Sequence, residues 1–308
     1  MPETLLNTRE VAAYLQINAK QVYRLIRSGG LPCTRVTGKW LFPQTLVEEW
    51  VQRSARAKTL SASKPVSVTE RFGFDRGLLV AGSNDLVLDS LFALFRQRYP
   101  EYLTYATNLG SFGGLEALKQ GKAHVALAHL RNPQSGEYNV SFLGQYFPLD
   151  AVVAVALWHR RVGLLQRPGQ PAVRSFSDLR RRGVCFVNRQ RGSGIRLLID
   201  QYLQEAKVKA TQVKGYDTEV WTHWEVGTRV LRNQADVGVA AESVARLLGL
   251  AFREVVEERF DLIVLKDYYF AKPVQALLGV VTSSELKARA LTLGGYDLRD
   301  TGKVVFPV

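Results

Sequence analysis

The chain has 308 residues, 46% hydrophobic and 22% charged, with a net charge of +13. This length predicts about two domains, and the near-average composition excludes a disordered or fibrous chain. The longest apolar stretches, such as Ala151 to Trp158, fall far short of the ~20 residues needed to span a bilayer. Residues Met1 to Asn7 lack the basic and apolar regions of an export signal, so the expectation is a cytoplasmic protein with no membrane partner. Cys33 and Cys185 are far apart, with neither a C-x-x-C spacing nor a nearby His, which supports neither a disulfide framework nor a zinc site. The positive charge is concentrated at the front, where Met1 to Phe72 holds eleven Lys/Arg against five Asp/Glu. Such a balance suits a polyanion partner and serves solubility equally well.

Asn7 precedes Glu10 by three residues, just ahead of Val11, Ala12 and Leu15, which predicts an N-cap with a reciprocal acidic partner opening a short helix. The pattern repeats at Asn18 and Gln21, followed by the apolar positions Val22, Leu25 and Ile26, with Gly29 as the C-terminal stop. Two capped helices joined at Gln16 and Ile17 make a helix-turn-helix, whose second helix can enter a major groove about 12 Å wide. Lys20, Gln21, Tyr23, Arg24 and Arg27 lie opposite the apolar stripe and are the candidate DNA-reading residues. Thr34 to Val36 and Lys39 to Phe42 flank Thr37-Gly38, a hairpin signal in which Arg35 and Lys39 form a wing over the phosphate backbone. Pro43 suits the first turn of a third helix carrying Leu46, Val47, Trp50 and Val51. The competing reading is a small helical module with a solvated basic face.

The landmarks E-V-A-x-x-L, V-Y-R-L-I-R-S-G-x-L-P and x-x-W-V make Leu6 to Val51 similar to the excisionase-type, MerR-related winged helix-turn-helix family. That resemblance implies DNA binding and leaves the operator unspecified. Residues 54–73, rich in Ser, Ala, Lys and Thr, predict a linker after a DNA-binding domain at 1–53.

From Gly77 onward, short apolar runs alternate with helical patterns: Gly77 to Ala81, Val87 to Phe95, Tyr102 to Ala106, Leu115 to Leu118 and Val125 to Leu127. This predicts α/β organisation with mainly parallel strands over 74–308. Gly82-Ser83-Asn84-Asp85 and Asn108-Leu109-Gly110-Ser111 follow the first two strands, where helices should begin. A later strand, Val184 to Val187, leads through Asn188-Arg189-Gln190-Arg191-Gly192-Ser193-Gly194 into a helix from Ile195 to Gln204. Free backbone N–H groups and hydroxyls at such turns can cradle an anion, with Arg191 and Arg196 raising the local potential. Each turn taken singly is also a plain N-cap. Neither a P-loop nor a G-x-G-x-x-G fingerprint occurs, which disfavours nucleotide binding.

The segments A-G-S-N-D at Ala81 to Asp85, Gly110-Ser111, N-R-Q-R-G-S-G-x-R at Asn188 to Arg196 and T-H-W-E-V-G-T-R-V-L-R-N-Q-A-D-V-G-V at Thr222 to Val239 carry a second resemblance. Gly77 to Val308 resembles the type II periplasmic-binding-protein fold, specifically molybdate- or tungstate-binding-like sensor domains fused to helix-turn-helix modules. The resemblance implies two lobes, one over about 74–150 and 262–308 and the other over about 151–261. It implies ligand contacts from Ser83, Asn84 and Ser111 in one lobe and from Arg191, Gly192, Ser193, Gly194 and Thr218, Glu219, Val220 in the other. Ile195 stands where the motif often has Thr, which leaves molybdate, tungstate, a larger organic anion or a loss of binding open. Ala151 to Leu157 and Phe260 to Leu265 are the expected lobe crossings.

His124, His129, His159 and His223 share no ligand spacing and read as packed or surface side chains, so neither a metal site nor a cofactor is expected. Helix capping accounts for Asp85, and Trp221 and Trp224 read as core more readily than as a pocket wall. No nucleophile with an acid or base partner is evident, so no enzyme is expected. The whole chain therefore predicts a ligand-responsive DNA-binding transcriptional regulator, a homodimer on a double-stranded operator that senses a small anionic effector. An exported solute-binding protein is the rival.

Overall fold

The structure, a computed structural model, describes residues 4–27, 31–36, 38–51, 73 and 77–307. The Arg27 side chain, Gly29, Thr37 and the predicted linker residues 54–72 lie outside the described residues. Internal contacts divide the chain into Met1–Val66 and Ser67–Val308.

In the front unit, helix α1 (Thr8–Tyr14) opens on a reciprocal cap, in which Asn7 Oδ1 accepts from the Arg9 and Glu10 amides while Glu10 accepts from the Asn7 amide at 2.7 Å. Helix α2 (Ala19–Arg27) begins on the same device, with Asn18 and Gln21 exchanging bonds at 2.9 and 3.2 Å. Gln16 turns the chain between them at a φ of 52°, a left-handed conformation. Strands β1 (Leu5–Leu6), β2 (Thr34–Val36) and β3 (Lys39–Pro43) form an antiparallel sheet in the order β1-β3-β2. Pro43 therefore closes a strand, paired with Leu5, and does not open the helix that occupies residues 44–51. Val11, Val22, Leu31, Phe42 and Val47 fill the core of this unit.

The larger unit is built on one extended sheet. Strands β4 (Gly77–Gly82), β5 (Leu103–Asn108) and β6 (Val125–Ala128) are parallel, and helices α3 (Leu86–Arg98) and α4 (Gly110–Lys119) start after β4 and β5. At the other end, β8 (Phe186–Arg189) runs parallel to β9 (Glu219–Val220) and to β10 (Val237–Ala241). Between these groups stand two antiparallel strands, β7 (Val152–Gln166) and β11 (Ala251–Leu265), 15 residues each and paired from Val152↔Leu265 to Gln166↔Ala251. Strand β6 bonds one end of β11 and β10 bonds the opposite end of β7, giving the order β5-β4-β6-β11-β7-β10-β8-β9. The parallel groups are thus as anticipated, but the centre of the sheet is antiparallel.

Alternation along these strands supplies two cores in each lobe. Val153, Val155, Leu262 and Val264 face one way with Val80, Leu91 and Phe95, while Val152, Ala154 and Ile263 face the other with Leu115 and Leu143. A sheet covered on both faces reads as a continuous apolar run, which is why Ala151 to Leu157 shows no polar alternation. Val162, Leu164, Val237 and Val239 repeat this in the second lobe with Phe186 and Ile199. Helices α5 (Lys272–Val281) and α6 (Ser284–Leu293) return to the first lobe through Val274, Leu277 and Leu286.

Ala151 to Leu157 and Phe260 to Leu265 thus belong to the first lobe. The passage between lobes lies one step beyond them, at His159-Arg160-Arg161 paired with Glu257-Glu258-Arg259. Gly163 sits just past that passage, facing Ala240 on one side and Glu254 on the other. A Cβ there would lie 2.0 Å from the Arg253 carbonyl oxygen, so backbone would have to move. Gly163→Ala is expected to destabilise the protein by about 3 kcal/mol, read as a lower urea midpoint.

Candidate functional site

The C-terminal ends of the parallel strands of both lobes meet beside the crossing strands. Ser83 ends the first strand of one lobe and Ser111 lies in the first turn of α4. Their hydroxyls are 2.7 Å apart, and Ser111 Oγ also accepts from the His129 amide at 3.2 Å. Both serines are buried. From the second lobe, helix α7 (Gly194–Glu205) starts at Ser193, whose hydroxyl accepts from the Arg196 amide and donates to the Gln190 carbonyl.

The lobes touch here. The Phe112 amide donates to the Gly192 carbonyl at 3.3 Å, and Asn108 Nδ2 donates to the Trp221 carbonyl at 2.8 Å. A Cβ at Gly110 would lie 2.8 Å from the Gly192 oxygen, and one at Gly194 would lie 2.7 Å from the His129 ring. Glycine at these two positions lets the lobes approach this closely. A cavity of about 210 Å³ remains beside Ser83, Asn84, Thr107 and Asn108, and one of about 370 Å³ remains between Phe112 and Arg191 to Ser193. Such volumes suit a small ligand.

The floor is charged. Arg160 Nη1 lies 2.5 Å from Asp85, and its Nε and Nη2 bond Glu258 at 3.2 and 3.1 Å. Burial opposes ionisation of Arg160, but Glu258 and Asp85 outweigh it and raise its pKa. Burial would likewise push Glu258 up, but His129 and Arg160 hold it below the usual carboxylate range. Asp85 also caps α3 by accepting from the Val87 amide at 2.8 Å, so the capping reading holds and omits its ion pair. Trp158, Phe260 and His129 stack above the pair with ring centroids 5.5 and 5.6 Å apart.

Arg189, at the end of β8, has no such partner among the described residues. Its Nη2 donates to the Trp221 carbonyl at 2.8 Å and its Nε to Gln190 Oε1 at 3.1 Å, while Nη1 is buried without a hydrogen-bond partner among the described residues. Burial and then repulsion from Arg160 push this guanidinium down to about 9. His223, the first residue of helix α8 (His223–Leu231), accepts from the Ala241 amide through Nδ1 at 3.0 Å. That bond places its proton on Nε2, which has no partner, as is true of Gln190 Nε2.

The anticipated ligand residues divide into two groups. Ser83, Asn84, Ser111, Gly192, Ser193 and Gly194 converge at the lobe junction. Arg191, Thr218, Glu219 and Val220 have other work. The Arg191 side chain is 80% exposed, and its amide bonds the Glu219 carboxylate, which also accepts from Arg196 at 2.8 Å. A carboxylate in that position satisfies the loop from within, where an anionic ligand would be repelled. Thr218 gives its carbonyl to the Asn188 amide, and Val220 is packed in the core. Arg196 is also paired with Asp200 and stacked 4.3 Å from Tyr216. Ile195 points into the core of the second lobe, so its departure from the motif removes no hydroxyl from the junction. Trp221 and Trp224 are both exposed and neither is core. Residue-type reasoning passed over Arg189, Gln190, Arg160 and Glu258; the first two lie inside the quoted motif, where strand alternation was the available signal.

On α2, Lys20, Tyr23 and Arg24 are exposed, while Gln21 is partly buried and commits its amide oxygen to the cap. This leaves Gln21 only its amide N–H groups for a base edge. Lys39 is exposed and pairs with Val36 across the hairpin, and Arg35 lies over Trp40 at 5.5 Å and donates to the Gly38 carbonyl. Among the described residues no group of three or more His, Cys, Asp or Glu is placed to hold a metal, and no helix is long and apolar enough to cross a membrane.

A helix-turn-helix unit joined to a two-lobed clamp of this topology defines a combination of DNA-binding and substrate-binding domain types. Residues 5–55 match the helix-turn-helix domain family, and residues 92–282, more than half of the chain, match the PBP superfamily domain. The chain belongs to the PBP superfamily. It is 27% identical over 302 residues to the uncharacterized protein YvgK of Bacillus subtilis, covering 96% of each chain. An uncharacterized Clostridium pasteurianum protein from the 5′ region of a 2Fe-2S ferredoxin gene is 27% identical over 110 residues, covering 35% of this chain and 97% of that one. Among solved structures, one described as a phosphate ABC transporter substrate-binding protein from Clostridium perfringens, with bound phosphate, superposes with a TM-score of 0.54 at 13% identity over 71% of this chain and 98% of that one. A hydrogen-peroxide-bound cysteine variant of OxyR from Corynebacterium glutamicum gives 0.51 at 14% identity, over 93% and 89% of the two chains. The regulatory domain of MetR, a LysR family regulator from N. meningitidis, gives 0.52 at 10% identity, over 72% and 97%. These likenesses show the two-lobed fold.

Burial, reinforced by Arg160, Arg189 and His129, holds His223 well below its usual 6.5, and burial lowers His129 as well. Below about pH 6.5 the unfolded chain takes up protons that the folded chain refuses. Stability should therefore fall with decreasing pH, by up to about 1.4 kcal/mol per pH unit for each histidine. Urea midpoints between pH 7.5 and 5 read this slope. His223→Asn, whose Oδ1 can accept from the Ala241 amide, should flatten it.

Proposed function

We propose that this protein is a transcriptional regulator in which the front unit binds an operator and the two-lobed unit closes on a small anionic effector. The observation that carries the reading is the meeting of Ser83, Ser111 and the Gly192–Gly194 loop, from the strand ends of opposite lobes, at one junction. Open α/β sheets bind ligands at the carboxyl ends of their strands. The exposed Lys20, Tyr23 and Arg24 support DNA binding through α2, with Arg35 and Lys39 on the wing. MetR, whose regulatory domain shares the fold, is itself a regulator.

Hydroxyls and backbone amides at the junction favour an oxyanion, with molybdate or tungstate the leading candidates, and the net charge of +13 favours a polyanion partner. A small organic anion is the second reading, favoured by Arg189, whose buried Nη1 has no acceptor among the described residues and could bond a ligand carboxylate. A cytoplasmic homodimer on a palindromic operator fits a helix-turn-helix reader. Binding favours the closed lobes, and covalent linkage lets that preference bias how two DNA-reading heads engage their sites.

The test is fluorescence anisotropy of the full chain on its own promoter DNA. Arg24→Ala is expected to weaken binding by about 1–3 kcal/mol, and the effector is expected to shift operator affinity at fixed salt. Unchanged affinity for DNA in Arg24→Ala, or no response to any anion, would refute the corresponding half of the proposal.

A further inference from the structure

We propose that Arg189, Gln190 and His223 form an acid-binding anchor on the second lobe, gripping the ionised oxygens of the effector opposite the Ser83–Ser111 pair. The inference rests on reading the lobe junction as a ligand site and names what the ligand must present there.

Three buried nitrogen atoms, Arg189 Nη1, Gln190 Nε2 and His223 Nε2, lack partners among the described residues. All three are donors. For His223 the donor state follows from the Ala241 amide, which occupies Nδ1 and leaves the proton on Nε2. For Gln190 it follows from Arg189 Nε, which donates to Oε1 and turns the amide nitrogen away. The atoms sit together: Arg189 bonds both Gln190 and the Trp221 carbonyl, and His223 follows Trp221 by two residues. Trp221 in turn accepts from Asn108 of the first lobe, which puts that carbonyl at the seam, and His223 lies close enough to Arg189, Arg160 and His129 to feel their charges. Buried donors without acceptors are rare in folded proteins and call for an occupant.

Charge narrows the occupant further. Arg160 is neutralised by Asp85 and Glu258, whereas no carboxylate lies within ion-pair distance of Arg189 among the described residues. Glu225, the other acidic group near Arg189, is committed to the Trp221 and Thr222 amides. Glu258 acts on Arg189 only at longer range, so its guanidinium Nη1 lacks a direct acceptor; a cation offers none, and a neutral sugar or alcohol offers a weaker one than a charged oxygen. An anion with two or more unprotonated oxygens satisfies the charge and the donors together.

Calorimetry of the full chain against molybdate, tungstate, sulfate, phosphate and succinate, with glucose as the neutral control, tests the anchor and separates oxyanion from carboxylate. The wild type should bind at least one anion and ignore glucose. Arg189→Gln should weaken that anion about 100-fold and Arg189→Lys about 10-fold. Because a variant can also fail to fold, the histidine ring 15N signals of the wild type supply a second readout, and the His223 Nε2 resonance should shift on saturation with the bound anion. Wild-type affinity in folded Arg189→Gln, an unmoved His223 signal, or no anion bound by the wild type would each overturn the anchor. An anion that binds through Arg189 but leaves promoter affinity unchanged would uphold the anchor and refute the regulatory reading.

Discussion

The larger unit depends on one cross-strand ion pair. Arg160 and Glu258 face each other where two 15-residue strands leave one lobe and enter the other, and both are almost wholly buried. A buried pair returns its desolvation cost only with good geometry and further hydrogen bonds. Here the fork of Arg160 also reaches Asp85 and the Asn84 carbonyl, tying the start of α3 to the crossing. Tyr296 donates at 3.0 Å to the Asp85 oxygen that also accepts from the Val87 amide, and it contacts Ser243 of the second lobe. Removing either carboxylate would leave a buried cation short of compensation, which explains how charged residues persist between apolar strand halves.

Because the two crossing strands bond each other along their full length, relative movement of the lobes is confined to bending and twisting of one ribbon. The irregularities at Glu254/Val256 and Phe260/Asp261 lie on either side of the charged passage and are the places where the ladder already departs from regular pairing. In the proposed closure, strand ends, serine hydroxyls and the glycine loop would be carried toward or away from one another as rigid groups. Such a ribbon would give the proposed effector a mechanical route to the disposition of the lobes.

Much of this was legible in the sequence. Asn7 with Glu10, and Asn18 with Gln21, announce both helices of the front unit because capping is local chemistry at fixed spacing. The positions of Ser83 and Ser111 were readable for a similar reason, since a hydroxyl between an apolar run and a helical pattern marks the end of a strand. The central antiparallel pair was not, because strands buried on both faces carry no alternation to reveal direction. The arginines of the second-lobe loop show the limit most clearly. Arg191 and Arg196 flank the glycines and attract notice, yet Arg191 turns to solvent and Arg196 is satisfied by Glu219 and Asp200. Arg189 faces inward because it ends a strand whose register sets it beside Val220, a pairing between distant segments that spacing alone does not encode.

The Trp221 carbonyl accepts from Asn108 in one lobe and Arg189 in the other, and the residue is 58% exposed. The clamp thus carries a built-in optical reporter at its seam. Parting the lobes strips one donor from that carbonyl and alters the surroundings of the adjacent ring, whereas Trp158 stays buried against Phe260. In a variant that keeps Trp221 alone of the five tryptophans, emission would report any parting of the lobes at that seam without an attached dye.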